Sequence, residues 1–441
     1  MWSAKGPPSG HHGEVLRLAV PAFVTLVAEP FFLLADSVVV GHLGTVPLAA
    51  LGVASAVLIT AANIFVFLAY GTTGAVARRL GAGDHPGALG LGVDGLWLAL
   101  VLGLAAGLVM LLLGGDLARW LGADGAVHHP ATTYLQISAV SVPAMLLNLA
   151  STGVLRGLQD TRTPLVVALV GFPANAALNV ALVYGAGLGI AGSALGTTIA
   201  QLGMAVALMS VVVRLARRNG ASLHAHPTRV LGAAREGVPL LLRTLSLRAV
   251  FLLSTWVAAA LGVVSLAAFQ VSTTVWSTLA FALDALAIAG QALTGRYLGA
   301  GDVAGARAAT RLMLWYGVAG GFVCGAGILV LHRVLPLAFT SDHAVRAAIA
   351  GALIVVAVQQ PLAGWVFVLD GVLIGAGDAR WLAGMQLAIL AAYLPMALLV
   401  RSQAHDVAVL WWAVTAWMLL RGVALGLRAR SDAWLVVGAT R

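Results

Sequence analysis

Apolar residues run in twelve segments of about twenty residues each, separated by short breaks rich in Gly, Pro and Arg. The segments lie near 15–40, 47–70, 90–113, 131–155, 164–184, 188–213, 238–261, 266–291, 313–337, 348–373, 381–400 and 406–427. At 1.5 Å per residue, about twenty helical residues cross a hydrocarbon core of roughly 30 Å. The short polar–apolar alternation of an outer-membrane barrel is missing. The pattern predicts an all-α polytopic membrane protein with twelve transmembrane helices. Its longest polar break, 214–237, divides them six and six. The expected organisation is a cytoplasmic N-terminal tail 1–14, a first lobe 15–213, a cytoplasmic linker 214–237, a second lobe 238–427 and a cytoplasmic tail 428–441.

The two halves repeat at one fixed offset of 218 residues. Pro21 matches Pro239, and Leu43-Gly44 matches Leu261-Gly262. Leu48-Ala49-Ala50 matches Leu266-Ala267-Ala268, and Leu80 to Asp84 matches Leu298 to Asp302. The pattern Gly153-Val154-Leu155-x-Gly157-x-x-Asp160-x-Arg162 returns as Gly371-Val372-Leu373-x-Gly375-x-x-Asp378-x-Arg380. Six helices per half is an even number, so both halves enter the membrane from the same side. They are parallel repeats, an arrangement that suits two bundles rocking about a shared cavity. The paired Asp and Arg loops are read as ties between helix ends.

Composition sharpens the class. The 441 residues are 61% hydrophobic and 9% charged, against roughly 25% charged in soluble domains. That balance excludes a soluble enzyme, a nucleic-acid-binding protein and a disordered scaffold. Mean hydropathy is +0.98 and the net charge +9. Nineteen basic residues fall on the side of the termini and the even-to-odd loops, and four on the other. The positive-inside rule then puts both termini in the cytoplasm. One Lys against 24 Arg, with abundant Ala, Gly and Val, suits a GC-rich bacterial genome and a plasma-membrane location. The single cysteine, Cys324, allows no internal disulfide. No cleavable signal peptide is expected, because the first apolar run is too long. No Gly-x-x-x-x-Gly-Lys loop is present, which excludes ATP-driven pumping within this chain. Energy then comes from an ion gradient or the substrate's own.

Charges inside apolar runs are costly and usually functional or paired. Glu29 and Asp36 stand seven residues apart, on one helix face. Pro21 and Pro30 on the same segment each remove an amide donor, so this helix is expected to bend. A carboxyl in an apolar cavity is held protonated until water enters, which is the chemistry of proton coupling. Arg243, Arg248, Asp284 and Asp370 lie in the second half, where they either bind substrate or pair with one another. At the 218 offset Asp36 meets Ser254, Asp284 meets Val66 and Asp370 meets Thr152, so the halves have specialised. Asn63 and Gln270 are further cavity candidates, with Asn148, Asn175, Gln201, Gln291 and Gln359.

The string Ala28-Glu29-Pro30-x5-Asp36-Ser37-x3-Gly41-His42-Leu43-Gly44 resembles the multidrug and toxic compound extrusion (MATE) transporters, in particular their DinF-like branch. So do Leu80 to Asp84, Arg243-Thr244, Asp284-x-Leu286-Ala287 and the run Phe367 to Asp378. The resemblance covers about Leu16 to Leu427. It implies a V-shaped, two-lobe fold of twelve helices that exports organic, often cationic and lipophilic, compounds in exchange for H⁺ or Na⁺. It also implies that Asp36 is the coupling residue, Pro21 the bending proline, and Asn179 and Thr197 the neighbours of Asp36. The family's second fifth-helix Asp is replaced by Val183. A hard cation wants several oxygens, so protons are favoured over sodium. The expected partners are a small organic substrate and membrane lipid, with no nucleic acid, metal or cofactor, and the chain is expected to be a monomer. The alternatives are export of organic anions, flipping of lipid-linked sugars, and a membrane scaffold without transport.

Overall fold

The computed structural model describes residues 11–403 and 406–440, without the side chains of 29–34. Among these residues every element is helical. The first half contains α1 (His12–Gly41), α2 (Thr45–Phe65), α3 (Phe67–Gly81), α4 (His85–Trp120), α5 (His128–Ala139), α6 (Val142–Gly157), α7 (Arg162–Val180) and α8 (Gly189–Arg218). The second contains α9 (Pro227–Ala260), α10 (Val263–Gly299), α11 (Val303–Leu331), α12 (His343–Gly375), α13 (Ala379–Gln403) and α14 (Val407–Arg430). Ten helical segments among the described residues are long and apolar enough to cross a membrane, with α2 and α3 counted as one. The pair α5–α6, bent by 51°, makes an eleventh. At 30 residues, α1 also has the length of a span. These segments follow the twelve apolar runs in order. They are longer than the runs, and α9 begins at Pro227, so the polar stretch 227–237 is helix rather than loop. Arginines and glutamates are good helix formers, and their polarity marks the end of the membrane, not the end of the helix.

The chain divides into two compact units. One is Val24–Val238; the other joins the N-terminal residues up to Phe23 to Pro239–Arg441. Both boundaries fall inside helices and beside equivalent prolines, Pro21 in α1 and Pro239 in α9. The first turn of α1 is held by the end of α10. Arg296 donates to Glu14 at 2.8 Å, and the Tyr297 hydroxyl bonds both His11, at 2.8 Å, and Glu14.

The repeat is visible in the backbone. Gly44 and Gly262, with φ of 122° and 109°, precede α2 and α10. Asp84 and Asp302 cap α4 and α11, each accepting from the backbone N–H three residues on at 2.8 Å. This side-chain acceptance satisfies an amide left open at a helix start, and in the first loop Arg79 of α3 also donates to Asp84 at 3.2 Å.

Glycine placement is common to both halves. A Cβ at Gly321 or Gly325 on α11 would fall 2.4 or 2.5 Å from the Gln360 or Ala357 carbonyl oxygen on α12. At the equivalent Gly103 and Gly107 on α4 it would meet Pro143 and the Ala139 carbonyl at 2.5 and 2.7 Å. Gly153 and Gly157 press on α3 as Gly371 and Gly375 press on α10. Small residues let membrane helices approach backbone to backbone. The result in the second unit is α12 at the centre, the most buried of the spans.

Gly364 makes the tightest of these contacts, its built Cβ lying 1.9 Å from the Gly317 oxygen. Gly364→Ala is expected to destabilise the protein by about 1–3 kcal/mol through overpacking, seen as a lower midpoint for heat-induced loss of monodisperse protein in detergent. Gly351→Ala, on the same helix with open space around it, should not lower that midpoint.

Candidate functional site

In each unit one buried aspartate within a long apolar helix gathers polar partners from several helices. In the Val24–Val238 unit it is Asp36, 7% exposed on α1. Asn179 Nδ2 donates to Asp36 Oδ1 at 2.7 Å, and Ser193 Oγ donates to the same oxygen at 2.8 Å. The Tyr134 hydroxyl from α5 reaches the cluster and interacts with Asp36, Ser193 and Thr197. Four helices thus converge on one carboxyl.

Local sequence explains this convergence. Gly192 and Gly196 lie one turn apart on α8, and a Cβ on them would collide with the Leu182 backbone just past α7 and with Asn179 near the end of α7. At Gly196 it would fall 2.1 Å from Asn179 Oδ1. The next residues, Ser193 and Thr197, share the adjoining face and turn their hydroxyls toward Asp36 and Tyr134. After Asn179 the backbone widens into a single π turn, Ala181–Gly185, a form frequent at functional sites. Val183 sits in that turn, 2% exposed, four residues after Asn179. Asn179 Oδ1, Thr197 Oγ1 and both amide atoms of Asn175 are buried without an aligned hydrogen bond. Beside the carboxyl opens a cavity of about 220 Å³, lined by Asp36, Ser37, Leu48, Leu51, Gly52, Ser55 and Ile59. Among the described residues Asp36 is its one charged wall.

In the other unit Asp370 on α12 faces two arginines. Arg243 on α9 engages it with both ends of its fork, Nε to Oδ1 at 3.1 Å and Nη2 to Oδ2. Arg421 on α14 reaches Oδ2 through Nη2 at 3.4 Å. Both arginines are buried, at 7% and 4% exposure. At the position equivalent to Asp36 stands Ser254, whose hydroxyl bonds the Tyr393 hydroxyl at 2.7 Å.

The structure therefore joins Asp36 to Asn179, with Thr197 adjoining through Tyr134, and joins Arg243 to Asp370. The remaining candidates lie as follows. Asn63 donates to its own helix, Nδ2 to the Ile59 carbonyl at 2.8 Å. Gln270 and Arg248 are exposed, and Asp284 is half-buried on α10. Pro21 lies within α1, while the side chains of Glu29 and Pro30 fall outside the described residues. Ser193 and Tyr134 are additions. Ser193 was legible as the residue one turn before Thr197; nothing in the local sequence marked Tyr134. Arg421 is a correction. Counted among the nineteen basic residues on the side of the termini, it is instead buried within α14 against Asp370.

The MatE family profile matches residues 21–181 and again 239–399, the second match shifted by the repeat offset of 218. Protein DETOXIFICATION 44, chloroplastic, of Arabidopsis thaliana is 30% identical over 93% of this chain and 81% of its own length. DNA damage-inducible protein F of Escherichia coli is 31% identical over 93% and 90%. Among solved structures, the Vibrio cholerae MATE transporter VcmN, in a mutant form, superposes with a TM-score of 0.87 at 22% identity, covering 96% of this chain and 97% of that one. A MOP superfamily transporter from Pyrococcus furiosus gives 0.85 at 21%, covering 97% and 98%. These likenesses establish the fold.

Carbodiimides modify protonated carboxyls in apolar surroundings, and Asp36 should be their target in the first unit. Gly196→Ala is expected to displace Asn179 and change the rate of Asp36 labelling by about threefold or more, the worth of a typical hydrogen bond. Gly203→Ala, with nothing within 4 Å of its Cβ, should leave the rate as it is. Peptide mass spectrometry reads both.

Proposed function

The chain belongs to the MatE family of multidrug and toxic compound efflux transporters, and on that premise we propose that it exports small organic compounds in exchange for protons taken up at Asp36. The carrying observation is the carboxyl itself. It is buried, it belongs to no ion pair among the described residues, and two neutral donors converge on Oδ1. Oδ2 is then the oxygen that takes the proton, with the Tyr134 hydroxyl close by.

The donor set supports protons over sodium. A hard cation needs several oxygen ligands and usually more than one carboxylate. Here Oδ1 is occupied by an amide N–H and a hydroxyl, and the apolar Val183 fills the position where the family's second Asp would stand. In the proposed cycle the carboxyl carries its proton while the site is closed. When the cavity opens to water the proton leaves, and the carboxylate attracts a cation. Alternating exposure of this one site to the two sides of the membrane couples proton entry to substrate exit.

The cavity beside Asp36 supports lipophilic cations as substrates. Leu48, Leu51 and Ile59 offer apolar surface, and Asp36 offers the counter-charge. The excess of basic residues on one side supports a multi-pass protein of the bacterial plasma membrane with both termini in the cytoplasm.

Two variants test the coupling. In everted vesicles or proteoliposomes with a fluorescent lipophilic cation, a proton gradient should drive efflux and a sodium gradient should not. Asp36→Asn is expected to abolish proton-driven efflux while the protein still inserts and elutes as a single species; equal loss of expression would point to a structural role. Ser193→Ala removes one hydrogen bond to the carboxylate and should slow coupled efflux by about tenfold without abolishing it.

A further inference from the structure

We propose that Tyr184 is a positioning residue for the proton site: its hydroxyl ties the last turn of α1 to the π turn after α7 and so sets how firmly Asp36 is held on Asn179 and Ser193. The inference deepens the coupling reading of Asp36 and rests on it.

The end of α1 is the first argument. A helix leaves its last carbonyls without partners of its own. Here the Val40 and Gly41 carbonyls accept from the Leu43 and Gly44 N–H groups just beyond the helix, at 3.0 and 3.3 Å. The Val39 carbonyl instead accepts from the Tyr184 hydroxyl, 145 residues away along the chain. Val39 stands one turn past Asp36. Two neighbouring rungs therefore run from the α7 side to α1, Asn179 to Asp36 and Tyr184 to Val39. The chain turns into α2 at Thr45, and Leu48, Leu51 and Gly52 of α2 line the cavity beside Asp36. The second rung thus restrains the corner that walls the cavity as well as the carboxyl.

The π turn is the second argument. In an unbroken α-helix the fifth residue after Asn179 lies about 140° round from it. The π turn Ala181–Gly185 takes in an extra residue, which swings Tyr184 back toward the side that Asn179 faces. Helix α8 supports the turn from behind: a Cβ at Gly192 would fall 2.7 Å from the Leu182 carbonyl carbon. The widened turn is thereby fixed on one side by α8 and on the other by the bond to α1.

The repeat supplies the third. The position equivalent to Tyr184 is Ser402, whose hydroxyl bonds the Leu399 carbonyl of its own helix at 3.0 Å. The position equivalent to Val39 is Val257, whose carbonyl accepts from Leu261 N–H at 3.1 Å at the end of its own helix. The half that carries Ser254 in place of Asp36 closes this helix end locally, and the half with the carboxyl closes it across helices. An interfacial tyrosine of the common kind sits at the headgroup level with its polar end in the wet region. Tyr184 is 47% exposed, yet its hydroxyl is bound to a helix carbonyl.

The pH profile of Asp36 labelling by carbodiimide, on the purified full chain, is the readout, since it needs no transport. Tyr184→Phe removes the hydroxyl and keeps the ring. It is expected to keep the thermal midpoint and to move the profile by about half a pH unit or more, the worth of one hydrogen bond. Tyr184→Leu, a second way to remove the hydroxyl, should move it likewise. His42→Ala removes the bond from His42 Nδ1 to the Val38 carbonyl at 2.8 Å, which lies within the end of α1 itself, and should leave the profile in place. In proteoliposomes Tyr184→Phe should lower the maximal rate of proton-driven efflux by about threefold to tenfold with the KM for the cation unchanged. A profile that stays in place in folded Tyr184→Phe and Tyr184→Leu, or moves as far in His42→Ala, overturns the positioning role. Asp36-dependent efflux together with such an unmoved profile overturns that role alone. A moved profile without Asp36-dependent efflux upholds the tie to Asp36 and overturns the coupling reading.

Discussion

Helices in hydrocarbon gain nothing by hiding apolar side chains from a solvent that is itself apolar, so their association rests on close backbone contact. Glycines supply that contact here, and they recur in both halves. Gly103 and Gly107 serve α4 as Gly321 and Gly325 serve α11, and Gly153 and Gly157 serve α6 as Gly371 and Gly375 serve α12. The prolines Pro143 and Pro361 stand at equivalent positions, each freeing the carbonyl four residues back. Those carbonyls, of Ala139 and Ala357, are the ones against which Gly107 and Gly325 pack. One scaffold, used twice, places the same backbone contacts in each unit.

On that shared scaffold the two units carry different chemistry. The first holds a carboxyl that accepts from neutral donors and belongs to no ion pair among the described residues. The second holds a carboxylate in ion pairs with two arginines. At the position equivalent to Asp36 the second unit has Ser254, bonded to Tyr393, and at the position equivalent to Arg421 the first has Gly203. The charges differ between the halves, and in a membrane each needs partners within its own bundle. Glycine again sets the terms: a methyl group at Gly196 would occupy the place of Asn179 Oδ1, and the amide that steadies Asp36 would be lost.

The single-residue readings show where one-dimensional reasoning stops. Asp36, Asn179 and Arg243 were visible because a charge or amide inside an apolar run is conspicuous. Arg421 was misplaced because it lies near the end of its run, where the sequence does not separate a snorkelling arginine from a buried one. Tyr134 carried no mark at all, since an aromatic residue in an apolar run is ordinary. Gln270 and Asn63 looked like Asn179 in sequence, yet one is exposed and the other bonds its own helix.

The sequence by itself determined the helical class, the order of the spans, the 218-residue repeat, the family and the identity of the unusual carboxyl. These depend on composition and period, which are properties of a single strand of text. Only the tertiary structure decided that Ser193 and Asn179 share one oxygen of Asp36, that Tyr134 stands beside them, and that Asp370 answers to two arginines rather than one. Those facts depend on which faces of separate helices meet, and that is fixed by the packing of small residues against distant backbone. The pattern along one helix names its faces; it does not name the helix each face will touch.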